Sequence, residues 1–237
     1  MPYQRKRGAK KVKKSTGLKN LANKMKTIAL KQCETKVASD TAENLQLTHN
    51  GTYFKNNFFF TSQGTADPQG LDSAPRSRIG DEIIARGIKF KWWLSNKGDR
   101  PNVMYHIYVF YYNTLETPTV STFWRGTDGV GGTMNRMLDN PNPDRVKVLK
   151  KLIVNSKSQY LGVETTDNAS FNREHSQLRE LYVSLNNKKI VYRRDSSGVP
   201  KGWDLGFAVV PYDSYGTLIT DNIASFAWSS TFYFKDP

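Results

Sequence analysis

Hydrophobic and polar residues alternate along several short runs of the chain, which is the spacing of a β-strand with one face against a core. The run 88–94 places Ile, Phe, Trp and Leu on one face and Lys89, Lys91 and Trp93 on the other. In 103–112 both sets of positions are apolar or aromatic, so we expect a central strand covered on both sides. The same reasoning predicts further strands at 53–61, 146–154, 178–185, 205–211 and 223–235.

Turn-forming stretches separate these runs, and no long helical pattern lies between them. Seven or eight such strands predict an all-β fold, an antiparallel sandwich or barrel, which we place in one domain at 42–237. Its connections at 62–79, 113–145 and 186–203 are long. Jelly rolls tolerate insertions of this kind at strand ends, where they often make contacts between subunits.

The N-terminal segment has a different pattern. Residues 1–15 are basic and poor in apolar groups, so we expect no fixed structure for them in the free chain. Apolar residues then recur at three- and four-residue steps, which predicts a short amphipathic helix at 16–36. Ser15 or Thr16 could cap its start. A membrane-surface role for this helix is the weaker interpretation, because it lacks an aromatic anchor.

Most of the net charge of +14 lies in this N-terminal arm, residues 1–41. Residues 1–36 contain twelve Lys or Arg and one acid, Glu34, while the remaining chain is nearly neutral. Lys and Arg beside phosphates release condensed counterions, which gives strong, sequence-independent binding to nucleic acid. The predicted contacts are Arg5, Lys6, Arg7, Lys10, Lys11, Lys13, Lys14, Lys19, Lys24 and Lys26, with Lys89 and Lys91 extending the basic surface. A nuclear-import signal is a compatible second use of the same cluster.

Aromatic residues exceed what one sandwich core needs, and aromatic side chains are enriched at protein–protein interfaces. We therefore expect a homo-oligomer. The side chains predicted to lie between subunits are Phe123, Trp124, Trp203, Tyr212 and Tyr215.

Catalytic or metal chemistry has little support. His49, His106 and His175 are scattered and form no pair with zinc-ligand spacing. The glycine-rich run 126–133 lacks the Lys of a phosphate loop, and Cys33 has no histidine near it in sequence. We expect no enzyme activity, no cofactor and no metal; the one weak alternative is an interface calcium site involving Asp128, Asp139 and Asp144.

Several features occur in a familiar order along the chain. They are the basic start from Arg5 to Lys14, the segments 78–82 and 86–91, the entry 100–105 into an aromatic strand, and 140–145 before the next strand. This layout resembles the capsid proteins of small circular single-stranded DNA viruses that encode a rolling-circle replication initiator, the circovirus-like and related groups.

The resemblance implies a single eight-stranded jelly roll, a small icosahedral shell, and an arm that faces inward on single-stranded DNA. The minimal shell, T=1, has about 60 copies, and the resemblance leaves the triangulation number open. It also implies a location in the virion and, during assembly, in the host nucleus, with an import receptor as a further partner. We expect no membrane insertion, because no stretch of the sequence approaches the roughly 18 apolar residues that a membrane span needs. The alternative function is a non-capsid single-stranded nucleic-acid-binding protein or nucleoprotein. That class places basic and aromatic residues in a groove on the fold rather than in a tail.

Overall fold

The structure is a computed structural model that describes residues 20–21, 24–25, 28, 32–63, 77–97, 100, 102–126, 135–156, 176–193, 198–213 and 218–236. Its strands are β1 (Thr35–Thr48), β2 (Tyr53–Lys55), β3 (Ser62–Gln63), β4 (Ser77–Arg78), β5 (Glu82–Asn96), β6 (Val103–Asn113), β7 (Val146–Asn155), β8 (Ser176–Val191), β9 (Trp203–Asp213) and β10 (Asn222–Lys235). A single helical turn, α1 (Val120–Phe123), lies between β6 and β7. Within these ranges no helix is long and apolar enough to cross a membrane.

Two four-stranded antiparallel sheets form the domain. Sheet A has the order β1-β10-β5-β8, and sheet B has the order β2-β9-β6-β7. The eight strands pair in nested fashion: β1 with β10, β2 with β9, β5 with β8, and β6 with β7. Nested pairing of first with last strand, continued inwards, is the arrangement of a rolled-up hairpin, the jelly roll. The predicted all-β jelly roll is therefore confirmed.

Aromatic side chains from both sheets meet in the core between them. Phe207 of β9 lies with its ring centroid 5.8 Å from that of Phe90 and 5.7 Å from that of Trp92, both on β5. Trp228 of β10 contacts the same Phe207 ring at 5.4 Å. Edge-to-face pairs of this kind contribute about 0.5–1.5 kcal/mol each beyond the apolar area that they bury. The alternating apolar positions predicted from sequence thus supply the contacts that join the two sheets.

Strand β1 was not predicted, and it corrects both the helix and the domain boundary. It begins at Thr35, so the helix prediction to residue 36 is wrong at its end, and the boundary at 42 falls inside a strand. Its inward positions start as small or polar residues, and a bulge at Asn44, with φ of 56°, shifts the inward face to Leu45 and Leu47. This change of phase hides the alternation. From here, "arm" means residues 1–34.

Strand β2 is shorter than the predicted run 53–61. It ends at Lys55, where its pairing with β9 stops, and Asn57 then adopts the left-handed region with φ of 66°. Phe58 and Phe59 instead turn inward and are buried in the core between the sheets. The apolar run 53–61 therefore correctly predicted buried side chains, but beyond Lys55 it wrongly predicted a strand.

Strand β8 is longer than the predicted run 178–185, so the connection expected from residue 186 begins only after Val191. Asn186 and Asn187 have φ of 51° and 54° and form a bulge opposite Arg86, after which pairing with β5 resumes. The bulge aims Lys188 at the ring of Tyr111, 4.2 Å from its centroid.

Strand β6 is central and covered on both sides, as its two apolar faces predict. It pairs with β9 and β7, and its odd-numbered side chains pack into the core between the sheets. Its even-numbered side chains, among them Tyr108 and Phe110, form a second cluster with Phe123 and Trp124. The described parts of the insertion, residues 114–126 and 135–145, therefore cover the outer face of sheet B.

Candidate nucleic-acid interface

Of the ten arm residues predicted to contact phosphates, the structure describes Lys24, which is helical and exposed. The other nine lie outside the described residues, and their role stays a prediction. The described residues from 20 to 32 are all helical, which agrees with the predicted helix over that part. Leu21, Met25 and Ile28, at the i, i+4 and i+7 positions of one helical face, are 56–63% exposed. The helix therefore presents an apolar stripe and a lysine to solvent.

Hydrogen bonds and an ion pair fix the point where the arm joins the domain. Lys235 Nζ donates to the Cys33 carbonyl at 2.6 Å, and Lys36 Nζ lies 3.0 Å from Asp236 Oδ2. The same Asp236 oxygen accepts from the Ile79 backbone N–H at 2.6 Å. The first and last strands of the domain are thereby tied together at one end of sheet A. The arm consequently leaves the domain from the end of sheet A.

Lys89 and Lys91 lie on β5 and face away from the core, as predicted. Both contact Glu180 on the neighbouring strand: Lys89 Nζ is 2.8 Å from Oε2 and Lys91 Nζ is 3.4 Å from Oε1. The hydrogen bond to Glu180 raises the pKa of Lys89, and the same bond lowers the pKa of Glu180. Glu180 was not identified from sequence. It offsets about half of the positive charge that these two lysines bring to the surface.

Aromatic side chains stand beside these lysines. Trp93 follows Lys91 on the same face of β5 and is 49% exposed, while Tyr182 is the cross-strand partner of Lys89 and is 53% exposed. The ring of Tyr182 contacts Tyr233 with 6.5 Å between centroids. The sequence pattern placed Trp93 with the lysines, but Tyr182 and Tyr233 were missed, because only strand register shows that they share this face.

Two of the predicted interface residues are buried within the subunit. Phe123 and Trp124 belong to the second cluster, so their prediction as intersubunit contacts is wrong: they hold the insertion onto sheet B. Trp203 is 49% exposed and remains available for a contact between copies. Tyr212 is half-buried against His49, with 4.6 Å between ring centroids. Tyr215 lies outside the described residues.

A buried ion pair fastens the insertion. Arg136 Nη1 lies 3.2 Å from Asp139 Oδ2, and the Arg136 guanidinium stacks 5.7 Å from the ring centroid of Trp124. Asp139 Oδ1 also accepts from the backbone N–H groups of Gly126 and Asn140. Asp139 is thus committed to the cover of sheet B, which argues against its weakly proposed role in an interface calcium site. Asp128 lies outside the described residues, and Asp144 is exposed.

The described histidines occupy separate buried positions. His106 lies on the covered face of β6, where burial and then Lys151 lower its pKa to about 4. His49 Nδ1 accepts from the Asp213 backbone N–H at 3.2 Å, and burial lowers its pKa. In the part of the chain that the structure describes, no group of three or more His, Cys, Asp or Glu could hold a metal ion.

No protein-family model matches this chain, and no curated protein matches it. Among solved structures, a chain of the crystal structure of the T13 IBDV viral particle is similar over 86% of this chain and 41% of its own length. The sequence identity is 11% and the TM-score is 0.25. The present chain thus spans less than half of that neighbour.

Proposed function

We propose that this chain is a capsid protein that self-assembles into a small icosahedral shell and packages single-stranded DNA through its arm. One observation carries the proposal: an arm with ten of the fourteen net positive charges leads directly into the first strand of a jelly roll. Jelly rolls serve as capsid and lectin domains and as cupins, so the fold alone does not decide between functions. The concentration of positive charge in the arm favours a structural protein that encloses a nucleic acid.

The arm supplies the nucleic-acid affinity. Its lysines and arginines neutralise phosphates and release counterions, so binding is independent of sequence and weakens steeply as salt rises. The hydrogen bond between Lys235 and the Cys33 carbonyl holds the arm at one end of sheet A in every copy. In a closed shell of identical subunits, all arms then emerge on the same side of the wall. Their combined charge acts on one enclosed nucleic acid.

Negative-stain electron microscopy of the purified full chain tests assembly. We expect uniform closed particles at low salt, and expect them again after treatment with nuclease at high salt, because domain contacts rather than the arm close the shell. Monomers or small oligomers under every condition would contradict the capsid proposal.

Charge substitution tests the arm without shortening the chain. Replacing Arg5, Lys6 and Arg7 with Gln should reduce the slope of log affinity against log salt by about 2, since each contact to a single strand contributes about 0.7. The matched control replaces the exposed Lys147, Lys150 and Lys201 of the domain. We expect that control to leave the slope unchanged, and an equal loss in both variants would argue against an arm-specific role.

A non-capsid single-stranded nucleic-acid-binding protein is the second candidate. The exposed rings of Trp93 and Tyr182 beside lysines favour it, because such proteins combine basic residues with aromatic stacking. It shares the nucleic-acid partner with the capsid proposal and differs in assembly. Binding with normal affinity by a chain that never forms closed particles would support this alternative.

A further inference from the structure

The outer face of sheet A, formed by the side chains that point away from the core, has an unusual composition for a solvated surface. Trp93 and Leu178 are direct cross-strand partners, and they are 49% and 51% exposed. Four residues further along β8, which is about 14 Å, Tyr182 is 53% exposed. Large apolar and aromatic side chains on one face of a sheet mark a surface that contacts another molecule.

Gly87 shapes the second of these aromatic positions. A Cβ atom at residue 87 would lie 2.1 Å from the Tyr182 hydroxyl oxygen and within 2.9 Å of its ring, so the ring lies across the backbone of β5. A glycine in a strand interior is otherwise unfavourable, because it has no side chain to pack. Here it allows Tyr182 to lie against the sheet beside Tyr233, 6.5 Å away. The ring is held flat on the sheet and remains half exposed.

Polar groups fill the interval between Trp93 and Tyr182. One row across the sheet runs from Glu180 through Lys91 and Ser229 to Thr41, and the next runs from Tyr182 through Lys89 to Thr231 and Ser39. Ammonium and hydroxyl groups are the usual side-chain donors to phosphate oxygens. Glu180 keeps the local charge low, so stacking on the rings, rather than attraction to the lysines, is the larger contribution that this face can make.

The position of the arm indicates which molecule covers this face. Residues 231, 233 and 235 alternate onto the same side of β10, and Lys235 on that side donates to the Cys33 carbonyl. Cys33, two residues before β1, therefore lies on the outer side of sheet A at the end where β10 finishes. A strand of nucleic acid bound to the arm is held next to this face. Unpaired bases can splay onto aromatic rings, whereas the bases of a duplex are already stacked.

We propose that the outer face of sheet A is a stacking platform for bases of single-stranded nucleic acid, with Trp93 and Tyr182 as its two rings. This inference rests on the proposed function, since the arm delivers the strand. Single-stranded binding surfaces combine a basic track with rings on which successive bases stack, and they tolerate any sequence because every base has a π-face. The platform adds a contribution that salt weakens much less than that of the arm.

Tryptophan fluorescence offers a test with a matched control. Trp93 and Trp203 are each 49% exposed, while Trp92, Trp124 and Trp228 are buried. We expect an oligothymidylate of about 16 nucleotides to quench the full-length protein, and expect Trp93→Phe to lose that quenching while Trp203→Phe retains it. Quenching that disappears with Trp203→Phe, or persists in Trp93→Phe, would overturn the proposal.

Affinity at two salt concentrations completes the experiment. Trp93→Ala should weaken oligothymidylate binding about tenfold at both low and high salt, and Trp93→Phe should restore most of the loss. Trp203→Ala should bind like the wild type. If Trp93→Ala instead abolishes particle assembly and leaves affinity unchanged, the face is a protein interface and the platform is refuted. If the wild-type chain itself fails to bind, the proposed function fails as well, so the two failures are distinguishable.

Discussion

The outer faces of the two sheets differ in whether another part of the chain covers them. On sheet B, Tyr108 and Phe110 are covered by Phe123 and Trp124 of the insertion. On sheet A, side chains at equivalent outward positions remain in contact with solvent, Trp93 among them. The insertion therefore converts an aromatic face into a second core, while the aromatic side chains on the outer face of sheet A stay in contact with solvent.

Ionisable groups follow the same division. On the covered face, burial raises the pKa of Asp204 to about 7 and lowers the pKa of His106 to about 4, so each neutral form is favoured. On the open face, Lys89 and Glu180 favour their charged forms, because each hydrogen-bonds the other. Burial thus favours the neutral forms of Asp204 and His106 on sheet B, whereas the ion pair on the open face of sheet A favours the charged forms of Lys89 and Glu180.

The largest expected effect comes from removing the cover's anchor. Trp124→Ala should lower the free energy of unfolding by about 3–5 kcal/mol, because the indole is fully buried against Tyr108 and Phe123. Its loss also removes the hydrogen bond from Nε1 to Thr52 Oγ1. Urea denaturation measures the change.

The matched control for this substitution is Trp93→Ala on the open face. We expect it to change the free energy of unfolding by about 0.5 kcal/mol or less, since half of that ring is already in water. Equal losses in the two variants would show that sheet A is also covered in solution, and the contrast between the faces would not hold.

The sequence predicted this contrast only in part. Alternation in β6, apolar on both sides, correctly indicated a strand covered on both faces. Alternation in β5 correctly separated Trp92 from Trp93. The sequence did not show which segment covers sheet B. Aromatic residues such as Phe123 and Trp124 are common both in cores and at subunit interfaces, and periodicity does not say what an insertion packs against.

Strand β1 and the partners of Trp93 show a second limit. The bulge at Asn44 reverses which positions face inward, so no single period describes β1. Tyr182 joins Lys89 only through the register between β5 and β8, and that register is a long-range property. Local patterns therefore predict strands whose alternation is unbroken, whereas the composition of a surface depends on pairing that a single sequence does not display.

Measuring the free energy of unfolding as a function of pH tests the burial of Asp204 on the covered face of sheet B. Its folded-state pKa, about 7, lies above the unfolded value of 3.8, so its contribution is complete below about pH 4 and is lost as pH rises through 7. Asp204 Oδ1 accepts from the backbone N–H groups of Phe59 and Leu205. The amide oxygen of an Asn at this position can accept the same two hydrogen bonds. We expect the stability of the wild type relative to Asp204→Asn to fall by roughly 2–4 kcal/mol between pH 4 and pH 7.

His106 is the control, because its contribution to stability should change with pH in the opposite direction. Its folded-state pKa, about 4, lies below the usual 6.5, so its contribution is present above pH 6.5 and is lost as pH falls towards 4. The stability of the wild type relative to His106→Gln should therefore rise with pH over the interval in which the Asp204 difference falls. Parallel slopes for the two variants would contradict the assignment of both groups to the covered face.

The smallest effect is expected on the open face, from Glu180→Gln. The carboxylate pairs with both Lys89 and Lys91 at the surface, where ion pairs contribute little to stability, so the urea midpoint should barely move. Affinity for oligothymidylate should rise roughly two- to fivefold at low salt, because two ammonium groups become available to phosphates. The gain should vanish at high salt, unlike the loss caused by Trp93→Ala.

Glu116→Gln, which breaks an exposed ion pair with Arg145 away from the platform, is the matched control and should leave affinity unchanged. An equal gain in both variants would mean that the strand responds to net charge alone and that sheet A has no special part in holding it.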